Sequence, residues 1–266
     1  MENEKKVVAQ ALKGDMNSLH LIVEEMQGIV YNLAVRFLWK REDAQDATQE
    51  ILIRVITNLA KFEGHSTLKT WVYRLATNYL LNVKRHEVEQ ISFEEGAGHL
   101  STGLSYLDYQ GADQELLEEE MKLSCTTSLL ICLSRPLRLA YLIGEILEFD
   151  GNEGGYILDI SPATFRKRLS NARKLIRSFM SSHCGLYHEQ NPCRCSKQIS
   201  YSLEAQWFSK DQLNFMSKDH IQQQAQKVDH FIDEVAIFHS HPTYRMPVDV
   251  LEKTKELLSN KGDFLT

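Results

Sequence analysis

Across residues 7–61 the apolar side chains recur at steps of three and four and never alternate. Ala44, Ala47, Ile51, Val55 and Leu59 fall on one face of a 3.6-residue helix. Upstream, Leu12, Leu19, Ile22, Val23, Met26, Val30, Leu33, Ala34 and Phe37 continue an apolar face. A half-buried strand needs a period of two, and none is present here, so this stretch is restricted to packed helices. Opposite the inward face of residues 41–62 stand Asp46, Gln49, Glu50 and Ile53. Two readings are open for that side: a solvated acidic face, or, because an Ile sits among the acids, a docking surface for a basic partner helix.

Residues 62–85 join two parts with different physics. Phe62 leads into Glu63, Gly64 and His65, a polar loop whose glycine is free to take positive φ. Ser66 is placed to cap the helix that follows. In that helix Leu68, Val72, Leu75, Tyr79 and Val83 mark the inward face, while Lys69, Arg74, Asn78, Asn82 and Arg85 occupy other sides. Lys84 and Arg85 are expected in the last turn, where cations suit the helix dipole. Cations, asparagines and the aromatics Trp71 and Tyr73 suit phosphate contact, base-edge hydrogen bonding and stacking on unpaired bases. A core stripe beside a solvated charged face fits the same residues.

The net charge of −6 argues against nucleic-acid binding only as an average. Residues 87–120 carry many acids and no Lys or Arg, whereas residues 166–177 are basic without one acid. No apolar run approaches the ~20 residues that cross a bilayer. The opening Met-Glu-Asn-Glu-Lys-Lys has no hydrophobic segment after it to act as a secretion signal, so a cytoplasmic location is expected. Five cysteines in a reducing compartment do not imply a disulfide framework.

Residues 89–124, rich in Glu, Gly, Ser and Asp, have the profile of a flexible acidic linker. A second helical domain is expected over residues 125–182. Ser134-Arg135-Pro136 interrupts its first apolar helices, and Asp150-Gly151 makes a turn. A short helix over residues 152–158 contains Gly154 and Gly155, which cost helix stability but permit a crossing helix to approach. Asp159-Ile160 turns the chain, and Ser161-Pro162 is a helix start. The next helix buries Phe165, Leu169, Ala172 and Ile176 and shows Thr164, Arg166, Lys167, Arg168, Ser170, Asn171, Arg173 and Lys174. Helix, short turn and basic second helix make a helix-turn-helix, whose second helix enters the major groove.

Three stretches together carry a resemblance. They are Asp-Ala-Gln-Asp-Ala-Thr-Gln-Glu-Ile-Leu-Ile-Arg at residues 43–54, Phe-Glu-Gly-x-Ser-x-Leu-x-Thr-Trp-Val-Tyr-Arg-Leu-Ala-x-Asn at 62–78, and Ile-Ser-Pro-Ala-Thr-Phe-Arg-Lys-Arg-Leu-Ser-Asn-Ala-Arg at 160–173. The chain resembles bacterial RNA polymerase sigma factors of the extracytoplasmic-function (ECF) group, departing at Gly154-Gly155, where helix formers are usual. The resemblance implies an all-α chain with residues 1–88 as the core-binding and promoter-melting domain and 125–182 as the promoter-reading domain. It gives core-polymerase binding to Asp46, Gln49, Glu50 and Ile53. It gives promoter melting to Phe62, Glu63, Gly64, His65, Ser66, Lys69, Trp71, Arg74, Asn78, Asn82 and Arg85. Upstream recognition falls to the exposed residues of the basic helix. The implied partners are core RNA polymerase and promoter DNA, with an anti-sigma factor left open and no membrane. Such a chain is not an enzyme but directs one.

Residues 183–266 lie beyond the resemblance as a helical extension. His183, Cys184, His188, Cys193 and Cys195 crowd into thirteen residues. Thiolates and imidazoles suit tetrahedral zinc, and reduced free cysteines or a redox sensor fit the same pattern. No cofactor is otherwise required. Cys125 and Cys132, in apolar helical surroundings, read as core. Ile221, Ala225, Val228, Ile232, Val235 and Phe238 form a stripe, His239 and His241 flank a break, and Pro247 opens a helix carrying Val248, Leu251 and Leu258. Two other functions fit parts of the chain. A stand-alone helix-turn-helix regulator would use residues 1–88 for dimerisation, and a metalloenzyme would centre on the Cys/His cluster. The second lacks the Glu of an HxE or HExxH setting.

Overall fold

A computed structural model describes residues 2–85, 89, 91–215, 234–239 and 241–260. Their order is α1 (Glu2–Ala11), α2 (Met16–Leu38), α3 (Arg41–Thr57), a 3-10 turn (Leu59–Lys61), α4 (Leu68–Asn82), α5 (Phe93–Gly103), α6 (Gln114–Cys132) and α7 (Arg135–Tyr141). A π-helical turn follows at Leu142–Ile146, then α8 (Gly151–Ile157), α9 (Pro162–His183), α10 (Cys195–Glu204), α11 (Glu234–His239) and α12 (Val248–Asn260). The described residues contain no strand, only an isolated bridge between Cys184 and Cys193. The all-α expectation holds.

The helices fall into two compact units that do not follow chain order. One comprises residues 1–84, 149–166 and 243–266, the other 85–148 and 167–242. In the first, the expected inward residues of α2 and α3 are buried, from Leu19 and Ile22 through Phe37 to Ala44, Ile51 and Val55. Asp15 caps α2 by accepting from the Ser18 amide at 3.1 Å. α12 packs on α2 and α3, with Thr254 buried and Lys255 paired to Glu24 at 2.7 Å. Val248, expected on the inward face of α12, is instead 74% exposed, because that face begins a turn later, at half-buried Leu251 and buried Thr254.

In the second unit, α10 lies on α5 and α6 around Leu117, Met121, Ile199 and Phe208. Residues 89–124, read as linker, therefore contain most of two packed helices. α5 opens with a capping box in which Ser92 and Glu95 satisfy each other's backbone amides. Buried Glu120 accepts from the amides of Asn214 and Phe215. Arg135 and Arg138 converge on Glu89, all three side chains being at most 3% exposed. Burial alone would raise the Glu89 carboxyl, but the Arg135 hydrogen bond and both guanidinium charges bring it below its usual value. Phe238, the described end of the extension's stripe, packs on Tyr141 with centroids 5.4 Å apart. Ile221, Ala225, Val228 and Ile232 lie outside the described residues, as does the Leu258 side chain.

Candidate nucleic-acid interface

The acidic side of α3 is set by helical spacing, since Ala44, Ala47, Ile51 and Val55 opposite are fully or nearly fully buried. Asp46 is exposed, and Gln49, Glu50 and Ile53 are half-buried. Glu50 pairs with Arg54 at 2.9 Å, and the Arg54 guanidinium lies over the Tyr79 ring at 4.8 Å. Two carboxylates and an amide are thereby displayed around an aliphatic centre.

The loop before α4 turns at Gly64, whose φ is +73° as expected. Exposed Glu63 and His65 pair at 3.0 Å. Ser66 is not the helix cap. Thr67 accepts from the Thr70 amide at 3.1 Å, while the Ser66 hydroxyl donates to the Thr67 carbonyl. Glu4 of α1 adds a carboxylate on the Leu68 amide at 3.1 Å. Along α4, Lys69, Asn78 and Asn82 are exposed. The helix ends at Asn82 and Val83 is extended, so Lys84 and Arg85 lie beyond it rather than in its last turn.

Two aromatics expected to reach unpaired bases do not. Trp71 is 8% exposed, its ring centroid 5.5 Å from that of Phe62. Tyr73 is 2% exposed against Phe149, and burial pushes its hydroxyl up to about 12, so it stays neutral. Phe62 packs on Trp71 and Phe149 on Tyr73, and α4 also packs against α8. There Arg74 donates to the Asp159 carboxylate at 2.7 Å and to the Tyr156 carbonyl at 3.1 Å, with its guanidinium 4.7 Å from the Tyr156 ring centroid. Thr77 donates to the Ile157 carbonyl at 3.0 Å. No local signal marks these contacts, because their partners lie about eighty residues downstream.

The segment expected to form a helix-turn-helix contains α8 and α9, joined by a short turn. Asp150 caps α8 through the amides of Asn152 and Glu153. A Cβ on Gly154 would stand 2.3 Å from the Phe165 ring, which is why a helix former is absent here. Asp159 makes the turn at φ 54°, a region Asp tolerates better than most side chains. Ser161 caps α9 by accepting from the Thr164 amide at 3.1 Å. Phe165, Leu169, Ala172 and Ile176 are buried. Thr164, Arg166, Lys167, Ser170, Asn171 and Lys174 are exposed, Arg168 is half-buried, and exposed Arg173 donates to Glu145 at 2.6 Å.

The Cys/His cluster divides. His183 stacks on Phe179 and sits 3.0 Å from the Phe179 carbonyl, and His188 is exposed. Cys184, Cys193 and Cys195 instead line a cavity of about 30 Å³ together with Cys125, which the sequence placed in the core. Burial raises the thiols of Cys125 and Cys195 well above their usual range and that of Cys193 to about 11. As these side chains stand, no group of three or more His, Cys, Asp or Glu among the described residues is set to hold a metal ion. His241 is buried 2.7 Å from the Thr126 hydroxyl, and His239 lies 3.0 Å from the Glu145 carbonyl.

Residues 22–88, which hold α3 and α4, match the Sigma-70 region 2 family. The ECF RNA polymerase sigma factor SigW of Bacillus subtilis is 30% identical over 178 residues, 65% of this chain and 94% of that protein. The ECF RNA polymerase sigma-E factor of Haemophilus influenzae is 26% identical over 179 residues, 66% of this chain and 94% of its own. The RNA polymerase sigma-H factor of Pseudomonas aeruginosa is 25% identical over 179 residues, covering 66% and 92% respectively. With SigW matched at 30% identity over 94% of its length, the chain belongs to the ECF sigma factor family.

Proposed function

We propose that the chain binds core RNA polymerase through Asp46, Gln49, Glu50 and Ile53, holds melted promoter DNA with the loop at residues 62–66 and the exposed side of α4, and reads the upstream element with α9. The observation that carries this reading is the two-sided character of α9. Its apolar residues are buried, and Thr164, Arg166, Lys167, Ser170, Asn171 and Lys174 share the open side, a set able to contact both phosphates and base edges. Trp71 and Tyr73 leave the list of base-contacting residues, and Lys69, Asn78 and Asn82 remain on it. The work takes place in the cytoplasm with the polymerase, and an anti-sigma factor would compete for the α3 face.

The extension regulates this activity by holding a resting form. One contact supports that: α12 packs on α2 and on the helix assigned to core binding. The test is transcription in vitro with core polymerase on promoter fragments. Replacing Arg166 by Ala should relax specificity at one base position at a cost of about 1–3 kcal/mol, whereas Lys167→Ala should weaken all sequences alike and flatten the salt dependence. A double variant that binds and initiates as the parent does removes α9 from promoter reading.

A further inference from the structure

We propose that Cys125, Cys184, Cys193 and Cys195 form a four-thiolate zinc site that fastens the start of the extension to α6 and to the end of α9. The four residues come from three parts of the chain: mid-α6, the segment just after α9, and the turn into α10. All four line one cavity, whose walls also include Leu129, Phe179, Met180, Thr126 and Gln198. Cys184 and Cys193 are joined by a backbone bridge, which sets their Cβ atoms side by side. A tetrahedral zinc with bonds of about 2.3 Å needs sulfurs about 3.8 Å apart. Each cysteine has a single side-chain torsion to turn toward a common centre.

The loop carrying three of these thiols is built rather than loose. A Cβ on Gly185 would stand 2.1 Å from the Cys193 carbonyl oxygen, so only glycine allows the two arms to close. The Asn191 amide donates to the carbonyls of Ser181 and Cys184 at 3.0 and 3.1 Å. Arg194 donates to those of Glu189, Asn191 and Cys193 at 2.5–2.9 Å. The Gln198 amide lies 3.7 Å from the Cys193 sulfur, the kind of donor that steadies a ligating thiolate.

Zinc binding would displace one proton from each thiol, four in all, and leave two net negative charges on the centre. Arg194 and Lys197 near Cys193 and Lys122 near Cys195 oppose them, while Glu118 near Cys195 adds to them. No imidazole is needed. His183 is stacked on Phe179 and His188 is exposed, so neither belongs to the set, and Cys125 takes the place the nearer sequence would have given them. The site is structural, with four protein ligands and no open position.

The experiment uses the full-length protein purified under reducing conditions and measures zinc by elemental analysis. The parent, Cys132→Ser and the His183→Ala/His188→Ala double variant should each carry one zinc per chain, and Cys125→Ser should carry none while keeping its helical circular dichroism. Zinc retained by Cys125→Ser, zinc lost from the histidine double variant, or a parent that stays empty when offered Zn²⁺ overturns the assignment. Should Cys125→Ser fail to fold, the parent stripped of metal and titrated with Co²⁺ decides. Sulfur-to-cobalt charge transfer with the ligand-field bands of a tetrahedral four-sulfur site supports the proposal, and their absence refutes it.

Discussion

At Gly154 the close approach of α8 to the first turn of α9 rests on a missing methyl group. The Phe165 ring occupies the space a Cβ would need, at 2.3 Å, and at Gly155 the Ile160 carbonyl stands 3.0 Å from the same notional atom. Helix propensity favours Ala over Gly by roughly 1 kcal/mol, so a gain on substitution is the naive expectation. Overpacking of about 1–3 kcal/mol opposes it and wins here, because the neighbour is a buried aromatic ring and not the end of a flexible chain. Gly154→Ala should lower the thermal midpoint, and combining it with Phe165→Leu should recover part of the loss. An Ala variant as stable as the parent would show that α8 and α9 can separate freely.

Among the elements, those with strong apolar periodicity were legible from the sequence and those defined by remote partners were not. α2, α3 and α9 bury the residues their spacing names. The start of α9 at Ser161-Pro162 and the turn at Gly64 follow from local chemistry alone. Residues 93–103 looked like linker because the polar capping box and the glycines conceal a helix whose buried side chain, Leu100, has partners in α10. Tyr73 misleads for the same reason, since its cover comes from Phe149, whereas Trp71 is covered by the nearby Phe62. In the proposed function, α12 is the element that bears on core binding. It rests on α2 and α3 by Thr254 and by Lys255, which is only 18% exposed beside Glu24. Removing residues 243–266 should therefore raise the affinity for core polymerase severalfold in a titration and reduce thermal stability modestly. Unchanged core affinity would mean that α12 leaves the Asp46 side of α3 open and has no part in regulation.

For the molecule as a whole, chain order and compact units disagree, since residues 149–166 pack with the first 84 residues and not with the segments on either side of them. The join is made by α4 side chains serving α8 backbone. Arg74 and Thr77 donate to the carbonyls of Tyr156 and Ile157, the last two residues of a helix only seven residues long. The last carbonyls of a helix find their partners outside it, and that of Tyr156 also accepts from the Asp159 amide at 3.3 Å. Under the proposed function, a single strand of DNA that claimed Arg74 would take away one of those donors. If upstream duplex is bound best when α8 is freed from α4, duplex must raise the affinity for the melted strand by the same factor as the melted strand raises that for duplex. Titrating a labelled single-stranded oligonucleotide with and without upstream duplex, and then the reverse, should give two equal ratios above one. Asp159→Ala should shrink both together, and ratios of one in the parent would mean that the two faces act independently. Promoter choice would then rest on cooperation between two weak sites, so that neither a stray upstream element nor a stray bubble recruits the polymerase alone.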